Sequence, residues 1–228
     1  MADSSTLTHS SRSTLRKYYR HQRRSLRPGQ RLLATQRIEH LLGTCPEFLS
    51  ADAIVVYLAS DGEVELQTVI ERAWQLGKKI FVPVVDNNNQ MAFVPLRSTD
   101  RMISGKWGIK TPARSARSRA RAPFSLVLAP LVAFDASGNR LGRGGGHYDR
   151  FFAQFTINKD FTRKASPAAR HASGTAPANN SSSASNWRQR PFIMGVAHSC
   201  QQAPALPAKP WDIALDAVVT ERGIRYFR

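Results

Sequence analysis

The stretch "SLVLAPLVAF" (Ser125–Phe134), followed after a short turn by "GNRLGRGGGHYDRFF" (Gly138–Phe152), decides the reading of this chain. The first part is a continuous apolar run rich in branched residues, the pattern of a strand buried on both faces, with Pro130 near its end. The second part carries arginines and a run of glycines, then "YDRFFAQF", which has helical character. Glycine there lowers stability through backbone entropy unless an unusual conformation or a close approach needs it. A flexible surface turn explains the glycines alone. A strand–glycine loop–helix also aims backbone N–H groups and a helix N-terminus at one spot, which suits phosphate. Arg140 and Arg143 can fork onto phosphate oxygens. The spacing is neither GxxxxGK[ST] nor GxGxxG, so the P-loop and the dinucleotide fingerprint are both excluded.

The same alternation extends outward. Arg16 to Ser25 forms a basic helix ending before Pro28, and Ala34, Ile38, Leu41 and Leu42 give the stripe of a second helix. "AIVVYL" (Ala53–Leu58) is a buried strand, and Leu66, Val69, Ile70 and Ala73 make a helix closed by Gly77. "KIFVPVV", "MAFVPL", "FIMGVA" and "DAVVT" are further strands, with "IRYF" pairing at an edge. Strands alternating with helices predict an α/β fold: a single domain over residues 1–228, with a mostly parallel twisted sheet and helices on both faces. Within it, 156–190 contains an Ala/Ser-rich insert with almost no large apolar residue, expected to be disordered.

The chain has 228 residues, 33 Lys+Arg against 16 Asp+Glu, a formal charge of +17. Such a field favours phosphorylated ligands and nonspecific polyanion binding. Much of the excess lies in Arg12–Arg31, in the basic loop 113–123 and in Arg163–Arg190. It makes a nucleic-acid-binding α/β protein the alternative reading, although no RNP aromatics, helix-turn-helix signal or zinc ligands are found. The two cysteines, Cys45 and Cys200, form no CxxC pair. That fits a reducing cytoplasm. No apolar run reaches membrane-spanning length and no secretory h-region opens the chain, so no membrane partner is expected.

"LAPLVAFDASGNRLGRGGGHYDR" closely resembles the hallmark motif of the 5-formyltetrahydrofolate cyclo-ligase family. "LRKYYRHQRRSL", "YLASDGEVELQTVIERAWQLGKKIFVPVV", "WGIKTP", "MGVAHSCQ" and "WDIALDAVVTE" agree in order. The resemblance implies an ATP- and Mg²⁺-dependent enzyme acting on 5-formyltetrahydrofolate, with a monomer favoured. The formyl oxygen is phosphorylated by ATP, and N10 then displaces phosphate to close the ring as 5,10-methenyltetrahydrofolate. An amide oxygen is a poor leaving group, and phosphorylation makes it a good one.

Carried over by position, the resemblance gives ATP phosphates to Arg140, Leu141, Gly142, Arg143, Gly144, Gly145, Gly146, His147 and Tyr148. It places Arg143 and Tyr148 at the reaction centre. Arg16 lies near the nucleotide, and Arg12 stands where the family has lysine, keeping the charge with a different donor geometry. Asp149 and Asp212 match metal-associated carboxylates, Glu63 a folate-contacting glutamate, and Trp107 the pterin-side aromatic. His147 replaces the first tyrosine of a Tyr-Tyr-Asp, and Ser199 an aspartate. Read alone, Tyr148 could be helix-start packing, Asp149 a dipole partner, Asp212 a turn residue, and Trp107 core.

Overall fold

The computed structural model describes residues 10–86, 88, 90–105, 110–113, 124–156 and 190–227. Its helices are α1 (Arg12–Arg24), α2 (Pro28–Thr44), α3 (Pro46–Ser50), α4 (Gln67–Gln75) and α5 (His147–Thr156). The strands are β1 (Ala53–Val55), β2 (Lys79–Val85), β3 (Met91–Leu96), β4 (Met102–Ser104), β5 (Lys110–Pro112), β6 (Leu126–Pro130), β7 (Ala133–Phe134), β8 (Arg140–Leu141), β9 (Phe192–Val196), β10 (Ala217–Thr220) and β11 (Gly223–Tyr226). The strand order β11-β10-β9-β6-β1-β2-β3 forms one sheet of seven strands. Its interior pairings are parallel, and the edge pairs β2–β3 and β10–β11 are antiparallel.

Successive strand residues point to opposite faces. Ile54, Ile80, Leu128 and Met194 share one face with Ile38 and Leu42 of α2, Phe48 of α3, and Val69, Ile70 and Ala73 of α4. Val55, Phe81, Val127 and Ile193 share the other with Phe151 and Phe152 of α5. Helices therefore cover both faces, as the alternation requires. Gly77, at φ +70, ends α4. Its amide donates to Trp74 O and that of Lys78 to Ala73 O, a Schellman closure.

The chain runs from β1 outward through β2 and β3, then returns to β6 on β1's other side. The β1–β6 boundary is thus the topological switch point, where open α/β sheets form a crevice at the carboxyl ends of their strands. Glu63 follows β1 at this boundary, and the glycine loop lies downstream of β6.

Two sequence expectations need correction, and one element was not foreseen. The first helix begins at Arg12, a turn before Arg16, because Ser11 caps it by accepting the Thr14 amide at 3.2 Å. The run Ser125–Phe134 is not one strand. Proline cannot continue the donor ladder, so β6 stops at Pro130. The carbonyls of Leu131 and Val132 accept instead from Gln201 Nε2, at 2.8 and 3.0 Å. Residues 133–134 then pair with β8 in a small hairpin, which stands between the buried strand and the glycine loop. The β4–β5 hairpin carries too little apolar alternation to show in the sequence.

Residues 157–189 of the insert and 114–123 of the basic loop lie outside the described residues. No described helix is long and apolar enough to cross a membrane.

Candidate active site

The loop Gly142–Gly146 is a partition. One cavity, of about 530 Å³, has Tyr57, Glu63, Pro130, Arg143 and Tyr148 in its wall. A second, of about 510 Å³, is walled by Arg12, Arg16, Arg150, Lys209, Trp211 and Asp212. Gly142, Gly146 and Asp149 border both. Gly144 and Gly146 take φ of +115 and +62. A Cβ on Gly146 would also lie 3.0 Å from Arg150 Nη1. The glycines are therefore required by conformation and by close approach.

In the first cavity, Glu63 is 6% exposed. Arg143 Nη2 is 2.7 Å from Glu63 Oε2, and Arg143 Nε donates to Oε1 at 3.1 Å. The Ser60 amide donates to Oε2 at 3.2 Å. Burial raises the Glu63 carboxyl above the usual range, while Arg143 and Arg23 pull it down without cancelling the rise. Tyr148 is held by packing of α5: Phe93 meets Phe151 edge-on at 4.6 Å and the Tyr148 ring at 6.4 Å. The Arg140 guanidinium lies 5.7 Å from the Tyr148 ring. Among the described residues the buried Tyr148 hydroxyl has no hydrogen-bond partner. Burial first, with Glu63 adding, pushes it well above an ordinary phenol, so it stays protonated.

The second cavity is cationic. Arg16 Nε donates to Gly142 O at 2.9 Å, which fixes α1 against the loop. Burial, then the neighbouring Arg12 and Arg20, lower the Arg16 pKa. An anion would relieve that crowding. Arg12 forms an ion pair with Asp212, whose Oδ2 also accepts the Lys209 amide at 2.8 Å. Asp149 Oδ1 binds the buried Arg140 at 2.5 Å and accepts the Ile213 amide at 3.2 Å. That last bond places Asp149 beside the segment carrying Asp212. The expected pair is thus brought to one cavity, each carboxylate already held by an arginine.

Among the described residues no three His, Cys, Asp or Glu cluster as a metal cage. Two carboxylates on the wall of a cationic cavity nonetheless fit Mg²⁺, which takes one or two carboxylates and otherwise phosphate oxygens and water.

Not every expected residue reaches a cavity. Leu141 is buried with Leu15 and Tyr19, so only its backbone faces the loop. His147 lines the first cavity, with Nδ1 3.0 Å from Arg150 Nη2. Trp107 lies outside the described residues. Sequence reasoning missed Trp211, 63% exposed in the second cavity with Lys209 Nζ 5.1 Å from its ring centroid. It also missed Arg20 and Arg23. Their signal was present: residues 12, 16, 20 and 23 recur at helical spacing on one face of α1.

Comparison with known proteins identifies the family and the fold. Residues 8–170 match the model of the 5-formyltetrahydrofolate cyclo-ligase family. The 5-formyltetrahydrofolate cyclo-ligase of Escherichia coli is 30% identical over 205 residues, covering 88% of this chain and 95% of that protein. The NMR structure of Aquifex aeolicus 5,10-methenyltetrahydrofolate synthetase superposes with a TM-score of 0.71 at 27% identity, over 95% of this chain and 93% of that one. A 5,10-methenyltetrahydrofolate synthetase from Mycoplasma pneumoniae shares the fold, with a TM-score of 0.64 at 21% identity, over 93% and 99% of the two chains. With the family model spanning most of its length and the fold matched nearly end to end, this chain belongs to the 5-formyltetrahydrofolate cyclo-ligase family.

Proposed function

We propose that this chain uses ATP to close 5-formyltetrahydrofolate into 5,10-methenyltetrahydrofolate, releasing ADP and phosphate. One observation carries the reading beyond family membership. A glycine partition separates an apolar-walled cavity holding Glu63 and Tyr148 from a cationic one holding Arg12, Arg16 and Asp212. Ligands in two cavities that share a border at Gly142, Gly146 and Asp149 can bring a formyl oxygen and a terminal phosphate together where the cavities meet, and such positioning supplies much of the barrier reduction in phosphoryl transfer.

In this reading Glu63 accepts from the N–H groups of the pterin, and Trp107 supplies the pterin-side aromatic. The apolar wall of Tyr57, Val82, Pro83 and Met91 excludes water from the phosphorylated intermediate. The nucleotide phosphates take the amides of Gly142–Gly146, with Arg12, Arg16 and Arg140 offsetting their charge. Arg143, on the loop between the cavities, stabilises the transferred group. Tyr148 keeps its proton and donates to the reacting oxygen. Mg²⁺, when bound through Asp149 and Asp212, supplies charge neutralisation on the phosphates.

Incubating the purified protein with 5-formyltetrahydrofolate and MgATP tests this. Methenyl-folate absorbance and ADP should rise together; the appearance of neither overturns the reading.

A further inference from the structure

A cation sealed from water needs partners, because its desolvation is otherwise uncompensated. Arg23 is 0% exposed. Its Nε donates to Asp61 O at 3.0 Å, its Nη2 to Asp61 Oδ2 at 2.8 Å, and its Nη1 to Leu131 O at 3.2 Å. Nη1 also lies 3.8 Å from Glu63 Oε1. One side chain therefore ties α1 to the loop after β1 and to the break after β6. Those are the strand ends that flank the topological switch point.

The loop it holds is strained. Asp61 has φ 58, in the left-handed region that residues with a Cβ seldom enter, and Gly62 follows at φ 77. Such conformations persist only where the surroundings over-determine them. Arg23, Arg24 and Arg20 all converge on the Asp61 carboxylate. The turn so formed delivers Glu63 into the first cavity. We propose that Arg23 is a positioning residue: through Asp61 it fixes the left-handed turn that presents Glu63 to the folate. This rests on the reading of the first cavity as the folate site. Arg23 lines neither cavity, so it acts through the loop.

The test compares Arg23→Met, Arg23→Lys and Asp61→Asn with the unmutated protein. Equilibrium binding of 5-formyltetrahydrofolate is measured without nucleotide, followed by kcat and both KM values. Arg23→Met should raise the folate KM tenfold or more, with the ATP KM within threefold and kcat reduced less than KM is raised. Arg23→Lys should recover part of the loss, and Asp61→Asn should move the folate KM in the same direction. Should Arg23→Met not fold, the other two variants carry the same comparison. If the unmutated protein binds no folate, both the cavity reading and the positioning role fall. If it binds, but the folded variants bind equally well or lose folate and ATP affinity together, Arg23 is a core residue only.

Discussion

Arg143 and Glu63, eighty positions apart, form a two-pronged ion pair between the glycine loop and the turn after β1. Each ligand of the proposed reaction has a claim on one end of it, phosphate on Arg143 and folate on Glu63. Loading the site therefore replaces an internal pair with two external ones. Glu63→Gln should raise the folate KM about tenfold or more, the scale of a lost charge-assisted hydrogen bond. Arg143→Met should lower kcat by roughly 100-fold or more, since cations on a transferring phosphoryl group carry large effects. Alone, Arg143→Met leaves a buried carboxylate short of a partner and should lower stability by about 1–3 kcal/mol. The double variant should regain that stability without regaining turnover. Recovery of turnover would show that the pair is only structural.

Acid should weaken the fold through a different carboxylate. Burial works to raise the Asp61 carboxyl, but Arg24, Arg23 and Arg20 outweigh it and leave it lowered. Its folded value lies below its unfolded one. The stability it contributes is present above the ordinary aspartate value, about 3.9, and is lost as pH falls through the folded value. Urea midpoints between about pH 6 and pH 3 should fall steeply for the unmutated protein. Asp61→Asn should start lower at neutral pH and fall less. Glu63, raised rather than lowered, acts in the opposite sense, so the two variants separate the effects. An acid limb unchanged in Asp61→Asn would remove Asp61 from the account.

Much of this organisation was legible in the chain. Buried strands such as Leu126–Pro130 announce themselves because both faces are apolar. The glycine loop announced itself because Gly144 and Gly146 occupy left-handed conformations that other residues avoid. What stayed hidden depends on long-range pairing. Nothing local to Arg23 says that it will be buried, because its partners Asp61 and Leu131 are 38 and 108 positions away. Trp211 followed by an aspartate resembles an ordinary turn until Lys209 and the second cavity surround it. The break at Leu131 could be inferred from Pro130, but the acceptors it frees are satisfied by Gln201, seventy positions on.

Asp149 and Asp212 should separate on stability while agreeing on metal. Asp149 neutralises the buried Arg140, so Asp149→Asn should lower unliganded stability by about 1.5–3 kcal/mol, the range for hydrogen bonds to charged groups. Asp212 pairs with Arg12, which is less deeply buried than Arg140 (side chains 19% against 4% exposed), so Asp212→Asn should cost less, about 0.5–1.5 kcal/mol. Both variants should raise the Mg²⁺ concentration for half-maximal rate about tenfold or more at fixed ATP. A normal Mg²⁺ titration in either folded variant would take that carboxylate out of the metal site.

Trp211 leaves most of its indole open at the mouth of the second cavity, which suits it to stack on a base. Aromatic stacking on a base is worth about 1–3 kcal/mol. Trp211→Ala should therefore raise the ATP KM roughly fivefold or more while leaving the folate KM unchanged. Inorganic tripolyphosphate, which has no base, gives the control: its inhibition constant should not respond to the substitution. An equal loss for ATP and tripolyphosphate would show that Trp211 shapes the phosphate site instead.

Tyr148 should trade stability for activity. Its hydroxyl is buried and, among the described residues, unpartnered, and a buried donor without an acceptor costs about 1–3 kcal/mol relative to a satisfied one. Tyr148→Phe deletes only that hydroxyl and keeps the ring against Phe152 and Arg140. The unliganded variant should be as stable as the parent, or more stable by about 1 kcal/mol. Its kcat/KM for the folate should fall about 10- to 100-fold, because the donor finds its acceptor only on the bound reactant. Burial keeps the phenol protonated well past neutrality, so the ratio of the two rates should stay constant from about pH 6 to pH 9, short of even an unperturbed tyrosine at about 10. A destabilised variant would mean that the hydroxyl is already bonded within the protein. Unchanged kcat/KM would remove it from the reaction centre.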